Sequence, residues 1–415
     1  MLGQKYKAYI LLAALVFAGE IIYSLPFHIT RFYRPTFLEV FQLNNTQLGD
    51  IFSVYGIMAM LAYFPGGLIA DLFSARKLMS ISLLATALGG VYLYTLPSAL
   101  GLTVLFAWWG LSSVMLFWAA MIKATREIGV ISGQGFAFGV LEGGRGLVAS
   151  VVASVGVVIL AAGLIEPSFS SLDSSLDRRQ ALQSVVAYYT GLTILAAMII
   201  WLILPNNTVS AGRSKNLRFK VQGDFLAVLA DGRVWLQGGI VLAIYCGFKA
   251  LDNYGVYAVQ VLGMSEVESA EFVTLLSYSR PIAAIVAGLL VDKWIANKMV
   301  ILLFTVAAIS SLMLGVTNIT QLLLINLIFV SVSVYALRGV QFTLLESSHI
   351  DVKRTGAAVG LISLLGYTPD IFFASLTGRI LDANPGLIGF QYYFFVLTII
   401  SILGLLLSIA LRKAN

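Results

Sequence analysis

From its first residues to its last, the chain alternates long apolar runs with short polar breaks. Each run is roughly 18 or more residues long, enough for a helix rising 1.5 Å per residue to cross about 30 Å of hydrocarbon. A membrane β-barrel would show segments of about ten residues alternating in polarity, so continuous apolar runs predict helices. Twelve spans follow: 8–40, 45–73, 77–96, 99–126, 133–163, 181–204, 226–262, 265–291, 297–316, 319–347, 354–382 and 388–411. The first has too long an apolar core for a cleaved secretion signal, holds Glu20, and lacks a small-x-small cleavage site.

The longest polar break, PNNTVSAGRSKNLRFKVQGDF at 205–225, lies midway. It divides the chain into a six-helix bundle at 1–204, a basic linker at 205–225 and a second six-helix bundle at 226–415. The halves share a register. GLIADLFSARK at 67–77 aligns with GLLVDKWIANK at 288–298, an offset of 221 residues that also places Gly135 and Gly139 on Gly356 and Gly360, and Tyr33 on Tyr254. One offset serving separate helix pairs points to a duplicated unit. Two such bundles can close in turn around a midplane site from either side of a membrane.

Composition agrees. The chain is 59% hydrophobic and 11% charged, against about 25% charged in soluble domains, which leaves no room for a sizeable soluble domain. With both termini placed in the cytoplasm, Lys5, Lys7, Arg76, Lys77, Lys123, Arg126, the linker cations Arg213, Lys215, Arg218 and Lys220, and Arg233, Lys293, Lys298, Lys353, Arg354, Arg412 and Lys413 fall inside. Arg34, Arg178, Arg179 and Arg379 fall outside, the expected bias. The net charge of +6 thus reports topology, and cations split among short loops do not form a nucleic-acid face. Cys246 is the single cysteine, which excludes an internal disulfide. His28 and His349 are the only histidines, too few for a multi-histidine metal centre. Without H-E-x-x-H, G-x-S-x-G or a phosphate-cradling G-x-x-x-x-G-K-[ST], the sequence predicts no enzyme, no cofactor and no direct ATP drive.

The twelve helices in two halves, the basic central loop and the Asp-containing turn after spans 2 and 8 resemble the major facilitator superfamily over the whole chain. Its signature G-x-x-x-D-[RK]-x-G-[RK]-[RK] is matched by Gly67, Asp71 and Arg76, while Leu72, Ser74 and Ala75 depart from it. In the second copy Gly288, Asp292 and Lys293 match, while Ile295, Ala296 and Asn297 depart. The resemblance implies a gating loop in which Asp71 braces one conformation against a helix start; a solvated loop acid is the alternative.

Ionisable groups deep in a bilayer cost a few kcal/mol at least and need a partner or a wet cavity. Span 1 carries His28 and Arg31 in PFHITRFY, span 7 carries Lys249 and Asp252 in GFKALDNY, and the shared offset superposes the pairs. Each pair is spaced i,i+3, on one helix face. Spans 1 and 7 line the central cavity in the superfamily, so these four side chains are expected to meet near the twofold axis. Distant resemblance to organophosphate-type antiporters implies that Arg31 and Lys249 hold an anionic head group. Asp252 departs from that pattern and is expected to pair with Arg31 in the empty site; a purely structural ion pair between the halves is the alternative. Tyr33 and Tyr254, Arg280 in SYSRPIAA, and Arg338 in YALRGVQF are further candidate substrate residues, with Arg338 nearer the cytoplasmic end and open to pairing with an acid there. Glu20, Glu142 and Asp370 are candidate proton carriers, because desolvation favours a neutral carboxyl. Glu20 leads, about 18 Å along its helix with no same-helix base near it. Asp370, after Pro369, is alternatively a cap for backbone freed at a helix break.

LEGGRGL at 141–147 places Glu142 and Arg145 at i,i+3, while Gly143, Gly144 and Gly146 clear the surface for close helix approach. Together these predict a buried pair on a contact face that is made and broken. Similar stretches, and ones like IKATREIG at 122–129, characterise a small set of bacterial inner-membrane facilitators. The multidrug-antiporter signature of span 5 requires a Gly-Pro pair, and no proline lies between Gly129 and Leu164. The sequence therefore predicts a monomeric inner-membrane secondary transporter of a small anionic or zwitterionic metabolite, driven by a proton or counter-solute. The alternatives are a broad exporter of amphiphiles and a non-transporting sensor on the same scaffold.

Overall fold

The protein, seen in a computed structural model that describes residues 2–165, 174–206, 228–291, 296–341, 344 and 355–414, carries helix in every one of the twelve spans. No strand occurs among the described residues. Nine helices there are long and apolar enough to cross a membrane, and the bent pair Tyr6–Ile21 and Ser24–Phe32 makes a tenth when read as one span. Span 2 is the single helix Asn45–Leu72, with Pro65 inside it. Span 11 is two helices, Thr355–Gly366 and Pro369–Ala383.

The interruptions have local causes. Proline lacks an N–H and its ring crowds the carbonyl four residues back. Accordingly, span 1 turns by 42° between Ile21 and Ser24 and runs as a π-helix over Ser24–His28, around Pro26. Span 11 restarts at Pro369, which occupies the first turn, where a missing donor costs least. Helix starts at the polar breaks are capped: Asn44 with Gln47, and Ser265 with Glu268, form reciprocal capping boxes.

Contacts group the chain into two compact units, Met1–Ala211 with Asp252–Pro281, and Gly212–Leu251 with Ile282–Asn415. The end of span 7 and the first half of span 8 thus pack with spans 1–6, so the contact grouping and the repeat cut the chain at different places.

Within the first unit, glycines set the closest helix approaches. A Cβ on Gly89 would collide with the Trp109 indole nitrogen, which donates to the Thr86 carbonyl at 3.1 Å. In the second unit, Phe304 fills the space over Gly404, and the Tyr393 hydroxyl donates to the Ala250 carbonyl at 2.6 Å. Large apolar side chains such as Leu88, Leu202, Ile282 and Leu406 stay exposed on the helix surfaces, as a lipid-facing exterior requires.

Candidate functional site

The first unit is organised around Glu20, which is 4% exposed. In a straight helix His28 would stand about 12 Å further along the axis from Glu20. The bend and the π-helical turn at Ser24–His28 bring them together, with His28 Nε2 3.2 Å from Glu20 Oε1. The expectation that no base of its own helix stands near Glu20 is therefore corrected, and the helix break is the reason.

Two arginines complete the junction. Arg145 Nε donates to Glu20 Oε2 at 3.1 Å, and Arg280 Nη1 donates to Glu20 Oε1 at 3.1 Å. Arg145 also donates through Nη1 to Glu142 at 3.1 Å, so the expected pair within LEGGRGL forms, but as one arm of a larger network. Its guanidinium lies over the rings of Tyr23 and Trp118, 5.6 and 5.9 Å from their centroids. Glu142 is the exposed end of the network, its side chain 44% exposed against 5% for Glu20.

The glycines of LEGGRGL have separate tasks. A Cβ on Gly144 would come within 2.7 Å of Val16, so this glycine admits span 1. A Cβ on Gly146 would come within 3.0 Å of Arg280 Cγ, so this one admits the arginine of span 8. One turn on, the Ser150 hydroxyl meets that of Ser277 at 2.7 Å, and another turn on, Ser154 meets Tyr278 at 3.0 Å. Gly146, Ser150 and Ser154 recur every four residues, which puts them on one stripe facing span 8.

Further along span 1, Arg31 donates through Nε to Asp252, so the pairing expected of the empty site is present. Tyr33 and Tyr254 are each 1% exposed. The Tyr33 hydroxyl donates to the Ala153 carbonyl at 3.0 Å and sits over Gly156, whose bare Cα makes the room. Beyond them, Glu266 at the start of span 8 accepts from Thr36 at 2.5 Å and from Arg178 at 2.6 Å.

The second unit has its own polar node. Lys249 Nζ lies 3.4 Å from Asp370 Oδ1, and the Tyr245 hydroxyl donates to Asp370 Oδ2 at 2.9 Å. Asp370 thus spends its side chain on span 7 instead of capping the break at Pro369. Arg338 lies over the rings of Tyr245 and Phe248, 5.2 and 4.8 Å from their centroids.

Of the four residues expected to meet, His28 pairs with Glu20, Arg31 with Asp252, and Lys249 with Asp370. In the gating loop, Arg76 stacks on Trp201 at 4.6 Å, while the Asp71 side chain, Asp292 and Lys293 lie outside the described residues. Among the described residues no group of three or more His, Cys, Asp or Glu is placed to hold a metal ion. Sequence reasoning missed Glu266, Tyr245, Phe248 and the serine stripe. The four-residue recurrence of small residues at 146, 150 and 154 carried a readable signal for the last.

Long apolar helices throughout the described residues define a multi-span membrane protein. The chain belongs to the Major Facilitator Superfamily, whose family model matches residues 16–374, and it is a transporter rather than an enzyme. It is 29% identical to the inner membrane protein YihN of Escherichia coli (strain K12), over 98% of this chain and 96% of that one. With the inner membrane protein YqcE of the same organism it shares 26% identity, over 93% of this chain and 90% of the relative. The crystal structure of the nucleoside transporter NupG superposes with a TM-score of 0.72 at 11% identity, over 98% of this chain and 100% of that one, a likeness of fold.

Proposed function

We propose that this transporter carries a small anionic or zwitterionic metabolite across a bacterial inner membrane by alternating access, coupled to a proton or a counter-solute, with both termini in the cytoplasm. The observation that carries the reading is the sharing of one carboxylate, Glu20, by Arg145 and Arg280 at 3.1 Å each. A guanidinium presents a planar fork matched to carboxylate or phosphate oxygens. An incoming anion is therefore a direct competitor of Glu20 for those arginines. By taking one of them it releases the tie between span 1 and span 8, and with it the serine stripe that span 5 presents to span 8.

Coupling follows from the same arrangement. Protonating Glu20 as it stands here would strand two guanidiniums in a buried site, and an uncompensated buried charge costs several kcal/mol. Glu20 accordingly takes up a proton only once the arginines have turned to substrate, so proton and anion load in a fixed relation. The Arg31–Asp252 pair and the ties at Glu266 are further contacts that transport breaks and remakes.

The test is a screen in vesicles containing the purified protein, offered a mixture of anionic, zwitterionic, neutral and cationic metabolites with and without a pH gradient, and read by mass spectrometry. Accumulation of an anion or zwitterion that is lost in Arg280→Ala and weakened in Arg31→Ala supports the reading. Accumulation of lipophilic cations, unaffected by either change, overturns it.

A further inference from the structure

We propose that Arg338, backed by the rings of Tyr245 and Phe248, is a subsite for a singly charged group of the transported solute, a carboxylate in preference to a phosphate dianion. This deepens the functional reading above and rests on it. The argument begins with what Arg338 lacks. Among the described residues no carboxylate lies within ion-pair distance of it, and its Nη1 is buried with no hydrogen-bond partner. Guanidinium is charged at any working pH and carries five N–H donors in its plane. A cation left in that condition is costly unless something supplies the missing acceptors.

Among the described residues the acid of this node is engaged elsewhere: Asp370 Oδ1 lies 3.4 Å from Lys249 Nζ, and its Oδ2 accepts from the Tyr245 hydroxyl. Lys249 and Asp370 cancel, which leaves the node with the single positive charge of Arg338. The guanidinium carbon lies 5.2 and 4.8 Å from the ring centroids of Tyr245 and Phe248, contacts that hold the group in place without satisfying Nη1.

Charge then selects the ligand. A monoanion brings the node to neutrality, whereas a dianion overshoots and adds repulsion with Asp370. The half-buried Tyr245, Phe248 and Arg338 also present ring surface beside the charge, so a flat or apolar body attached to the carboxylate has a place to lie. Phe248 is further supported from behind by Tyr335, with centroids 6.3 Å apart.

Three probes of similar body and different charge test this: benzoate, phenyl phosphate and benzyl alcohol, at matched ionic strength. The readout is the thermal unfolding midpoint of the purified full chain, titrated to an apparent Kd. Benzoate is expected to stabilise the wild type, with phenyl phosphate at least about tenfold weaker, and benzyl alcohol without effect. Arg338→Gln is expected to lose the benzoate response, while Arg338→Lys, which keeps the charge but not the planar fork and guards against a folding artefact, binds benzoate more weakly than the wild type and more tightly than Arg338→Gln. An equal benzoate response in Arg338→Gln, a phenyl phosphate affinity matching or exceeding that for benzoate, or no anion response in the wild type would each overturn the subsite. The vesicle screen judges the transport reading separately, since an anion carried undiminished by Arg338→Gln would sink this subsite and leave that reading standing.

Discussion

Spans 1 and 5 meet through Glu20 and Arg145, whereas spans 7 and 11 meet through Val241 and Gly366, the positions 221 residues further on that the sequence register pairs with them. The first contact is an ion pair at 3.1 Å. The second is so close that a Cβ on Gly366 would collide with Val241 Cγ1. The same place in the same architecture is thus held once by charge and once by packing alone. An apolar seam of this kind answers to neither a proton nor an anion, because no competitor can replace its dispersion contacts. A carboxylate shared by two arginines answers to both. The difference teaches how the two junctions would behave: the packed one as a fixed joint, and the charged one, in the function proposed above, as a switch.

The sharpest way to break that comparison is to remove the charge from the switch. Glu20→Gln leaves Arg145 and Arg280 without their shared counter-charge, and is expected to cost about 3–5 kcal/mol of stability and to abolish transport of the solute found in vesicles. Wild-type uptake in this variant would count against Glu20 as the junction. A more discriminating change copies the packed joint into the switch. Glu20→Val with Arg145→Gly is expected to recover about 1–3 kcal/mol of the stability lost in Glu20→Val alone, because a buried charge is removed along with its partner, while transport stays absent. Thermal unfolding of the three proteins decides it, and a double variant less stable than the single one refutes the pairing. On the packed side, Gly366→Ala must push Val241 aside and is expected to cost about 1–3 kcal/mol, with no change in solute selectivity. Smallest of all is Glu142→Gln. Its side chain is 44% exposed and Arg145 keeps Glu20 as a counter-charge, so no more than about 1 kcal/mol is expected, read by thermal unfolding.

This ordering revises what the sequence alone implies for LEGGRGL. Glu142 and Arg145 were legible as a pair because i,i+3 spacing puts them together on any helix. The second partner of Arg145 is the buried Glu20, which lies 125 positions away on another span, and the other arginine of Glu20 lies 260 positions away from it. Such partners have no local signature. His28 is a different case: Pro26 announced a break, but the way the π-helical turn carries His28 back to Glu20 depends on the geometry of the bend. The spans themselves were readable throughout, since burial in hydrocarbon leaves long apolar runs that nothing else explains. Arg31 with Asp252 was readable because the 221-residue offset read from the sequence sets the two opposite each other on spans 1 and 7, and that is the separation at which they pair. Arg338 was read as open to pairing with an acid near one end of its span. The structure gives it two aromatic rings, and nothing in YALRGVQF pointed to partners on span 7.

The most direct test addresses the face that the switch controls. Ser150 and Ser277 stand with hydroxyls 2.7 Å apart on spans 5 and 8, close enough to try a disulfide between cysteines placed there in a chain whose Cys246 has been replaced by alanine. If the stripe must part on every cycle, uptake of the solute found in vesicles stops when the Ser150→Cys and Ser277→Cys pair is oxidised and returns when it is reduced. Undiminished uptake by a fully crosslinked protein would contradict the account.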